Sequence, residues 1–247
     1  MEPSIKERLW HKMRADLAQF VPETSENDLL MCCACGRFLQ QEHFDLEHLV
    51  PRQALRSDPL EVRNNPATPA NVRSGNLLLC KKPLLYKNSP MYNNGCNSWK
   101  GRFYDKPISD IFSGRTNAQG VRVSDAHIIG SLMLGYLAMV AEFGFIITLM
   151  KSGLLLREQF FHPHKFRPSL GTRYQVVLVG SPFTGADEGI WNNPFSFKFE
   201  RGACLVTARN YVITVPVSRD PFTPVARHLK IVPSRFKMRP DFRTAFN

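Results

Sequence analysis

The beginning of the chain lacks the continuous apolar segment of a secretory signal, because charged side chains occur throughout Met1 to Phe20. The sequence also lacks internal repeats and low-complexity tracts. Without a secretion signal, closely spaced cysteines indicate a metal site or redox chemistry rather than a disulfide framework. We therefore expect a reducing, cytoplasmic environment for the six cysteines.

Acidic residues are scarce relative to basic ones. The chain has 21 Asp and Glu against 32 Lys and Arg, which gives a formal net charge of +11. Such an excess favours a polyanionic partner, with nucleic acid ahead of an acidic membrane surface. The imbalance is larger in residues 121–247 (16 basic against 8 acidic) than in residues 1–120 (16 against 13). This difference predicts that the second part of the chain helps to hold a substrate.

Apolar residues make up 43% of the chain, which is ordinary for a globular protein and argues against wholesale disorder. A length of 247 residues allows one large domain or two small ones. Residues 107–123 have no clear hydrophobic period and contain Gly114 and Gly120, which predicts a junction. We expect an N-terminal domain at residues 1–115 and an accessory domain at residues 124–247.

Regular hydrophobic spacing predicts an amphipathic helix at the start of the chain, where Ile5, Leu9, Met13 and Leu17 recur every four residues. We expect this helix to end before Pro22 and to pack on the N-terminal domain. A basic helix lying on a membrane surface is the minor alternative.

A long apolar helix is predicted at the start of the second domain. Ser124 can cap it, and its apolar residues run from Ile128 to Met150 with Glu142 as the single charge. The segment is long enough to span a bilayer. We expect a buried helix, with a membrane span as the alternative.

Four β-rich segments follow this helix, at residues 174–179, 195–199, 203–207 and 211–215. The second of them alternates strictly between apolar and polar residues, which is typical of a half-buried strand. The predicted fold class is therefore α+β, in which the C-terminal domain combines a long helix with an antiparallel sheet.

Four short motifs lie close together in the first half of the chain. They are Cys32-x-x-Cys35-Gly36, Glu47-His48-x-x-Pro51, the run from Asn76 to Cys80, and Cys96-Asn97-x-x-Lys100-Gly101. In this order they resemble the zinc-containing branch of the HNH nucleases, which have the ββα-metal fold. The resemblance covers residues 30 to 105.

The resemblance implies a set of catalytic roles. Phosphodiester hydrolysis needs an activated water, charge stabilisation at the phosphate and help for the leaving oxygen. A neutral histidine suits the first task, and Mg²⁺ or Mn²⁺ suits the other two. By resemblance, His48 is the general base, Glu47 and Asn97 ligate the ion, and Asn76 holds the His48 loop.

Two points about this catalytic assignment stay open at the level of sequence. The family more often has Asp where Glu47 stands. In addition, adjacent strand residues point to opposite faces. Whether Glu47 and His48 converge on one ion therefore cannot be read from the sequence.

The cysteine pairs indicate a structural zinc site, because two intervening residues let one turn of backbone supply two thiolates. The ligands that the pattern and the resemblance imply are Cys32, Cys35, Cys80 and Cys96. The fifteen residues between the last two exceed the family's usual spacing, which predicts an inserted loop at residues 81–95. The alternative is a redox-active or merely buried set of thiols. Cys33 and Cys204 are expected to be buried spare thiols.

Basic side chains near the motifs and at the C-terminus are candidate contacts for phosphate. They are Arg52, Arg56, Lys100 and Arg102 beside the motifs, and Arg235, Lys237 and Arg239 in a tail with interleaved phenylalanines. For those beside the motifs, a solvated basic face is an equally good reading.

The resulting expectation is a metal-dependent HNH endonuclease that cuts DNA, with RNA as an alternative substrate. The resemblance implies a setting in bacterial or phage defence, restriction or a mobile element. The C-terminal domain would bind substrate, sense a state or dock a protein partner. The rival interpretations are a zinc module that only binds nucleic acid, and a nuclease subunit that is active only within a complex, for example beside an ATPase.

Overall fold

A computed structural model describes residues 2–113, 123–165, 176–178, 188–200, 202–209, 211–220, 223–224 and 241–246. The helices are α1 (Ile5–Leu17), α2 (Glu23–Glu26), α3 (Arg52–Leu55), α4 (Leu60–Asn64), α5 (Ala70–Ser74), α6 (Cys96–Phe103), α7 (Asp105–Phe112), α8 (Asp125–Phe143), α9 (Phe145–Leu149), α10 (Lys151–Phe161) and α11 (Glu188–Asn192). The strands are β1 (Leu30–Met31), β2 (Phe38–Leu39), β3 (Phe44–His48), β4 (Asn76–Cys80), β5 (Leu84–Tyr86), β6 (Ser89–Tyr92), β7 (Val176–Leu178), β8 (Phe195–Glu200), β9 (Ala203–Ala208), β10 (Tyr211–Pro216), β11 (Ser218–Asp220) and β12 (Thr223–Pro224). Short 3-10 turns lie at Gln41–His43 and Pro163–Lys165. The mixture of helices and antiparallel sheets confirms the predicted α+β class.

Helix α1 forms where the hydrophobic spacing predicts it. A capping box fixes its start, because Ser4 Oγ accepts from the backbone N–H of Glu7 and the Glu7 carboxylate accepts from that of Ser4. Trp10, Met13 and Leu17 are buried against the rest of the protein. The helix therefore contributes one face to the core, as expected from its amphipathic pattern.

Strands β3 and β4 form an antiparallel pair that α6 follows. In their register, Phe44 lies opposite Cys80 and His48 lies opposite Asn76. Helix α6 packs against β4. It continues past Gly101 to Phe103. The order is thus two antiparallel strands and a helix, with the motif residues at the strand ends and in the first turn of the helix.

The turn signals Asn64-Asn65-Pro66 and Thr68-Pro69-Ala70-Asn71 predict a loop at residues 52–75, between β3 and β4, and this prediction is wrong. The segment contains the short helices α3, α4 and α5, each preceded by a proline. Proline has a fixed φ that suits a helix start, and it lacks an N–H that would otherwise be left unpaired there. Pro69, which the turn signals include, therefore begins a helical turn instead.

Residues 81–95 were also predicted as a loop, and they form the hairpin β5–β6 instead. Its two tip residues, Lys87 and Asn88, have φ values of 47° and 64°, as in the two-residue turn that best matches strand twist. At its base, a Cβ on Gly95 would lie 2.1 Å from the carbonyl oxygen of Cys80. Glycine is therefore required at this position, because the backbone at the end of the hairpin passes too close to the backbone of Cys80 to leave room for a Cβ atom.

The long helix of the second half ends earlier than predicted. Helix α8 stops at Phe143, and Gly144 has a φ of 80°. A Cβ on Gly144 would meet the Asp16 carboxylate at 2.2 Å, and Asp16 accepts a hydrogen bond from the N–H of Phe145. Contact with α1 therefore interrupts the apolar run, which resumes as α9.

Helix α8 is the one helix in the described ranges that is long and apolar enough to cross a membrane. Of its most apolar 18-residue segment, 72% is buried within the protein. It packs against the sheet with strand order β7-β10-β9-β8. Strand β8 alternates between buried and more exposed residues, as its sequence predicts. The antiparallel sheet expected in the second half is thus confirmed.

The two halves of the chain share a continuous core. Trp99 Nε1 and the Tyr104 hydroxyl both donate to the carbonyl oxygen of Phe160, at 2.9 Å and 2.8 Å. The Tyr136 hydroxyl donates to the carbonyl oxygen of Cys33 at 2.7 Å. The predicted boundaries at residues 115 and 124 stay a prediction, because residues 114–122 lie outside the described ranges.

A buried ionic triad connects the β3–β4 segment to the C-terminal sheet. Asp58 accepts from Arg73 Nε at 3.0 Å and from both terminal nitrogens of Arg209 at 2.6 Å and 3.1 Å. All three side chains are at most 5% exposed. Arg73 lies in α5, and Arg209 lies at the turn between β9 and β10. The position of α5 is therefore coupled to the second half of the chain.

Candidate metal centre and catalytic groove

The first cysteine pair lies in the turn of the β1–β2 hairpin. The backbone N–H of Cys32 donates to the carbonyl oxygen of Arg37, which closes the turn and turns both thiols inward. Cys96 begins α6, and its side chain is completely buried like those of the first pair. Residues 64 positions apart in sequence are thus brought into one cluster.

The geometry of this cluster fits a metal ion. The sulfur atoms of Cys32, Cys35 and Cys96 all lie within 4.8 Å of one another, and those of Cys32 and Cys96 are 3.8 Å apart. Two thiolates at about 2.3 Å from a tetrahedral zinc ion would have sulfurs about 3.8 Å apart. Cys80 was predicted as the fourth ligand. It lies beside this trio, since its backbone N–H donates to the Cys32 sulfur at 3.4 Å, but its own sulfur is not one of the three mutually close sulfurs.

Arg37 places positive charge against the cysteine cluster. Its Nε lies 3.4 Å from the Cys35 sulfur and its Nη2 lies 3.2 Å from the Cys80 sulfur. Burial raises the pKa of Cys35, but hydrogen bonds from the neighbouring thiols and the charge of Arg37 outweigh it and hold that pKa well below its usual value. A site that favours thiolate is what a metal with thiolate ligands requires.

The two remaining cysteines lie outside this cluster. Burial raises the pKa of Cys33, and it raises that of Cys204 to about 12. Both thiols are completely buried. The structure therefore gives them the buried positions that the sequence predicts.

A polar groove of about 610 Å³ lies at the end of β3. Its lining includes Glu47, His48 and Asn97, which are three of the four residues predicted to catalyse or to bind the catalytic metal. Glu47 lies against α6 and His48 lies against α5, and the groove spans the end of the strand between them. The two adjacent residues therefore contact different helices, and both contribute to the lining of the groove.

His48 is held by a residue that the sequence reasoning had noted only as part of a turn. Its Nε2 lies 3.2 Å from the side-chain oxygen of Asn71. With this oxygen as the acceptor, Nε2 carries the proton and Nδ1 keeps its lone pair. Burial lowers the pKa of His48, and the nearby charge of Arg52 adds to this effect. The imidazole is therefore neutral at neutral pH and has one nitrogen free to accept a proton.

Asn76 does not line the groove. Its side-chain nitrogen donates to the backbone carbonyl oxygen of Asn71 at 2.7 Å. Asn76 therefore contacts the residue that contacts His48, rather than the reacting space itself. Asn76 was expected to hold the His48 loop, and its contact with Asn71 is of this positioning kind.

Glu47 is buried and forms an ion pair with Lys100. The ammonium group lies 2.6 Å from Glu47 Oε1 and 2.6 Å from Asp105 Oδ1, and Lys100 is 1% exposed. Burial alone would lower the pKa of Lys100, but the two carboxylates hold it above its usual value. Lys100 was predicted to contact phosphate. Its buried position instead makes it an internal counter-charge for Glu47.

Asn97 lies in the first turn of α6 and points to β3. Its side-chain nitrogen donates to the carbonyl oxygen of Leu46 at 3.3 Å. Asp45 and Asp105 line the same groove, although no sequence motif singled them out. Oxygen atoms from an amide and several carboxylates are the donor set that Mg²⁺ and Mn²⁺ prefer. The residues of the groove therefore fit such an ion.

The predicted phosphate contacts fall into separate groups. Arg52 and Arg56 are exposed and line the groove. Arg102 is exposed but packs over the rings of Tyr92 and Phe103, away from the groove lining. The tail residues lie outside the described part of the chain. They are Arg235, Lys237 and Arg239.

The Lys100 ion pair leads to a testable prediction about stability. Lys100→Met should lower the free energy of unfolding by about 3–5 kcal/mol, because it leaves a buried carboxylate without its counter-charge. Lys198→Met is the matched control, since Lys198 and its partner Glu200 are both exposed, at 75% and 48%. An exposed pair contributes about 0–1 kcal/mol. Urea denaturation of both variants measures the difference, and equal midpoints would contradict the buried role of Lys100.

Comparison of the chain with protein-family models, with curated proteins and with solved structures finds no match.

Proposed function

We propose that this protein is a metal-dependent endonuclease of HNH type that hydrolyses phosphodiester bonds of DNA. The main support is the placement of Glu47, His48 and Asn97 along one groove at the end of β3. Two motifs distant in sequence thereby contribute to one polar space. Two exposed arginines, Arg52 and Arg56, stand at the same groove and supply positive charge for a phosphate backbone.

His48 is the proposed general base. With Nε2 of the neutral imidazole engaged by Asn71, Nδ1 is the nitrogen that would take a proton from a water molecule. Asn71 orients the ring, and Asn76 in turn fixes Asn71 through its backbone carbonyl. This support matters because a base that is misplaced by about 1 Å loses about 10²-fold in rate.

Glu47 and Asn97 are the proposed holders of Mg²⁺ or Mn²⁺. Such an ion, when bound, polarises the phosphate and stabilises the leaving oxygen. Lys100 engages Oε1 of Glu47, which fixes the direction of that carboxylate. Arg52 and Arg56 would draw the phosphate backbone toward the groove, where their charge is screened only by solvent.

The cysteine cluster is the proposed structural zinc site. Cys32, Cys35 and Cys96 would supply three thiolates, and Cys80 is the nearest candidate for the fourth. This site lies at the root of α6, which also carries Asn97. Holding Cys96 therefore holds the helix that brings Asn97 to the groove.

The direct test of the proposed function is cleavage of DNA by the purified protein. Supercoiled plasmid and single-stranded DNA are incubated with Mg²⁺ or Mn²⁺, and in parallel without added divalent ion. We expect cleavage that depends on the ion. Binding without cleavage under every metal condition would favour the non-catalytic zinc module. Cleavage that appears only after a cell extract is added would indicate a nuclease subunit of a larger complex.

A further inference from the structure

The hairpin β5–β6 is an insertion between two cysteines of the cluster region. It leaves directly after Cys80 and returns at Gly95, beside the carbonyl oxygen of Cys80. Arg37 binds the carbonyl oxygens of Lys82 and Pro83 at 3.0 Å and 2.9 Å. Both ends of the hairpin are thus anchored. At its tip, Tyr86 and Lys87 are exposed, and the Tyr86 ring also makes an edge contact with the His162 ring, with centroids 5.8 Å apart.

The surface of this hairpin and of α6 carries charge of one sign. Residues 81–104 contain no Asp or Glu. Lys81 lies 3.8 Å from Asp45, which lines the groove, so the base of the hairpin is at the groove edge. Within the described ranges, Lys87 and Arg102 have no ion pair with a carboxylate. Their charge is available to an anionic partner.

Aromatic rings are exposed at two places, one on the hairpin and one at the end of α6. Tyr86 is 41% exposed at the hairpin tip, and Phe103 is 39% exposed at the end of α6. Each ring has a cation over it: Lys87 Nζ lies 5.6 Å from the Tyr86 ring centroid, and the Arg102 guanidinium lies 5.4 Å from that of Phe103. Rings and guanidinium planes of this kind stack with unpaired nucleobases.

The tip has a further unusual property. Lys87 has a φ of 47°, a conformation that glycine and asparagine adopt more readily than lysine. Asn88, the second tip residue, fits its own φ of 64° well. Lysine at the first position thus places a charge at the most extended point of the hairpin at a cost in backbone strain.

We propose that the hairpin β5–β6, together with Arg102 and Phe103, holds an unpaired stretch of DNA next to the cleavage groove. The identity of the nucleic acid rests on the proposed function. A duplex hides the faces of its bases, so exposed rings favour a single strand. Lys87 contacts phosphate, and Tyr86 stacks on a base.

Binding is measured in the His48→Ala background, so that no DNA is consumed. The probe is a fluorescent single-stranded DNA of roughly 16 nucleotides, the upper end of what a compact single-strand site covers. A blunt duplex of the same sequence is the second probe. Tyr86→Ala should weaken single-strand binding about 5- to 150-fold, the loss expected for one stacked base. Tyr86→Trp should retain binding, because it keeps a ring.

Two matched controls separate stacking from general effects. Leu85→Ala removes an apolar side chain that is as exposed as Tyr86 but has no ring, and this variant should bind like the parent.

Lys87→Gln should reduce the dependence of log affinity on log salt by about 0.7, the value for one phosphate contact on a single strand. Lys198→Gln, a change at a 75% exposed lysine of β8, should leave that slope unchanged.

The outcomes distinguish this proposal from the proposed function. Tyr86→Ala binding as tightly as the parent, or losing affinity equally for both probes, would overturn the unpaired-base contact even if the parent cuts DNA. Loss in Tyr86→Ala but not in Leu85→Ala or Tyr86→Trp supports the contact, even if the parent cuts nothing. Each result stands without the other because binding is measured without cleavage.

Discussion

Replacing His48 with alanine should slow DNA cleavage by about 10²–10⁴-fold, the usual contribution of a general base. The reason is that His48 is the neutral imidazole in the groove, with a pKa held below its usual value by burial. Zinc content, melting temperature and DNA affinity should change little, because within the described ranges the side chain makes a single hydrogen bond, to Asn71, and contacts no cysteine of the cluster. Conversion of supercoiled plasmid at saturating enzyme measures the rate.

His43→Ala is the matched control for this experiment. His43 lies five residues earlier, pairs with the exposed Glu42 at 3.5 Å, and does not line the groove. It should therefore cleave at the parental rate. Excess Mg²⁺ or Mn²⁺ should partly restore Glu47→Ala and Asn97→Ala but not His48→Ala. Plasmid cleavage by His48→Ala at the parental rate would remove the basis for the HNH assignment.

Replacing Cys35 with serine should prevent stable folding of the protein. Binding of a structural zinc ion contributes an apparent free energy of about 10–16 kcal/mol in small zinc modules at neutral pH. The total stability of a domain is about 5–15 kcal/mol. Loss of one thiolate from the buried trio should therefore remove most of the stabilisation, and elemental analysis should find about one zinc per chain in the parent.

Cys204→Ser provides the comparison for Cys35→Ser. Cys204 is equally buried but lies in β9, away from the cluster. We expect the Cys204→Ser variant to keep its zinc and to have a melting temperature close to that of the parent protein. Circular dichroism and metal content are measured on both variants. A parent protein that contains no metal and still melts cooperatively at the usual temperature would refute the zinc site.

Local sequence patterns predict the regular elements well where periodicity is long. The four-residue spacing in α1 and the alternation in β8 each identify an element whose burial follows the pattern. The errors lie where a distant contact decides the outcome. Gly144 interrupts the apolar run because Asp16 of α1 fills the space beside it. No window of neighbouring residues contains that information.

The same distinction applies to the candidate site. The motif residues Glu47, His48 and Asn97 could be chosen from the sequence, and the structure brings them to one groove. The support of His48 by Asn71 could not be predicted, because Asn71 lies in a segment that looks like a turn. The burial of Lys100 was equally inaccessible, since it depends on Glu47 and Asp105 meeting the same ammonium group.

The triad of Asp58, Arg73 and Arg209 limits how freely the segment between β3 and β4 can be transplanted. Arg73 lies in α5 together with Asn71, and Asp58 lies before α4, but their third member comes from a turn 151 residues away from Asp58. A graft of residues 30–105 into another scaffold would therefore carry a buried carboxylate–guanidinium pair stripped of one partner. The same constraint applies to engineered grafts and to natural recombination. Either the C-terminal sheet is transferred together with the segment, or the host protein must supply a cation in place of Arg209.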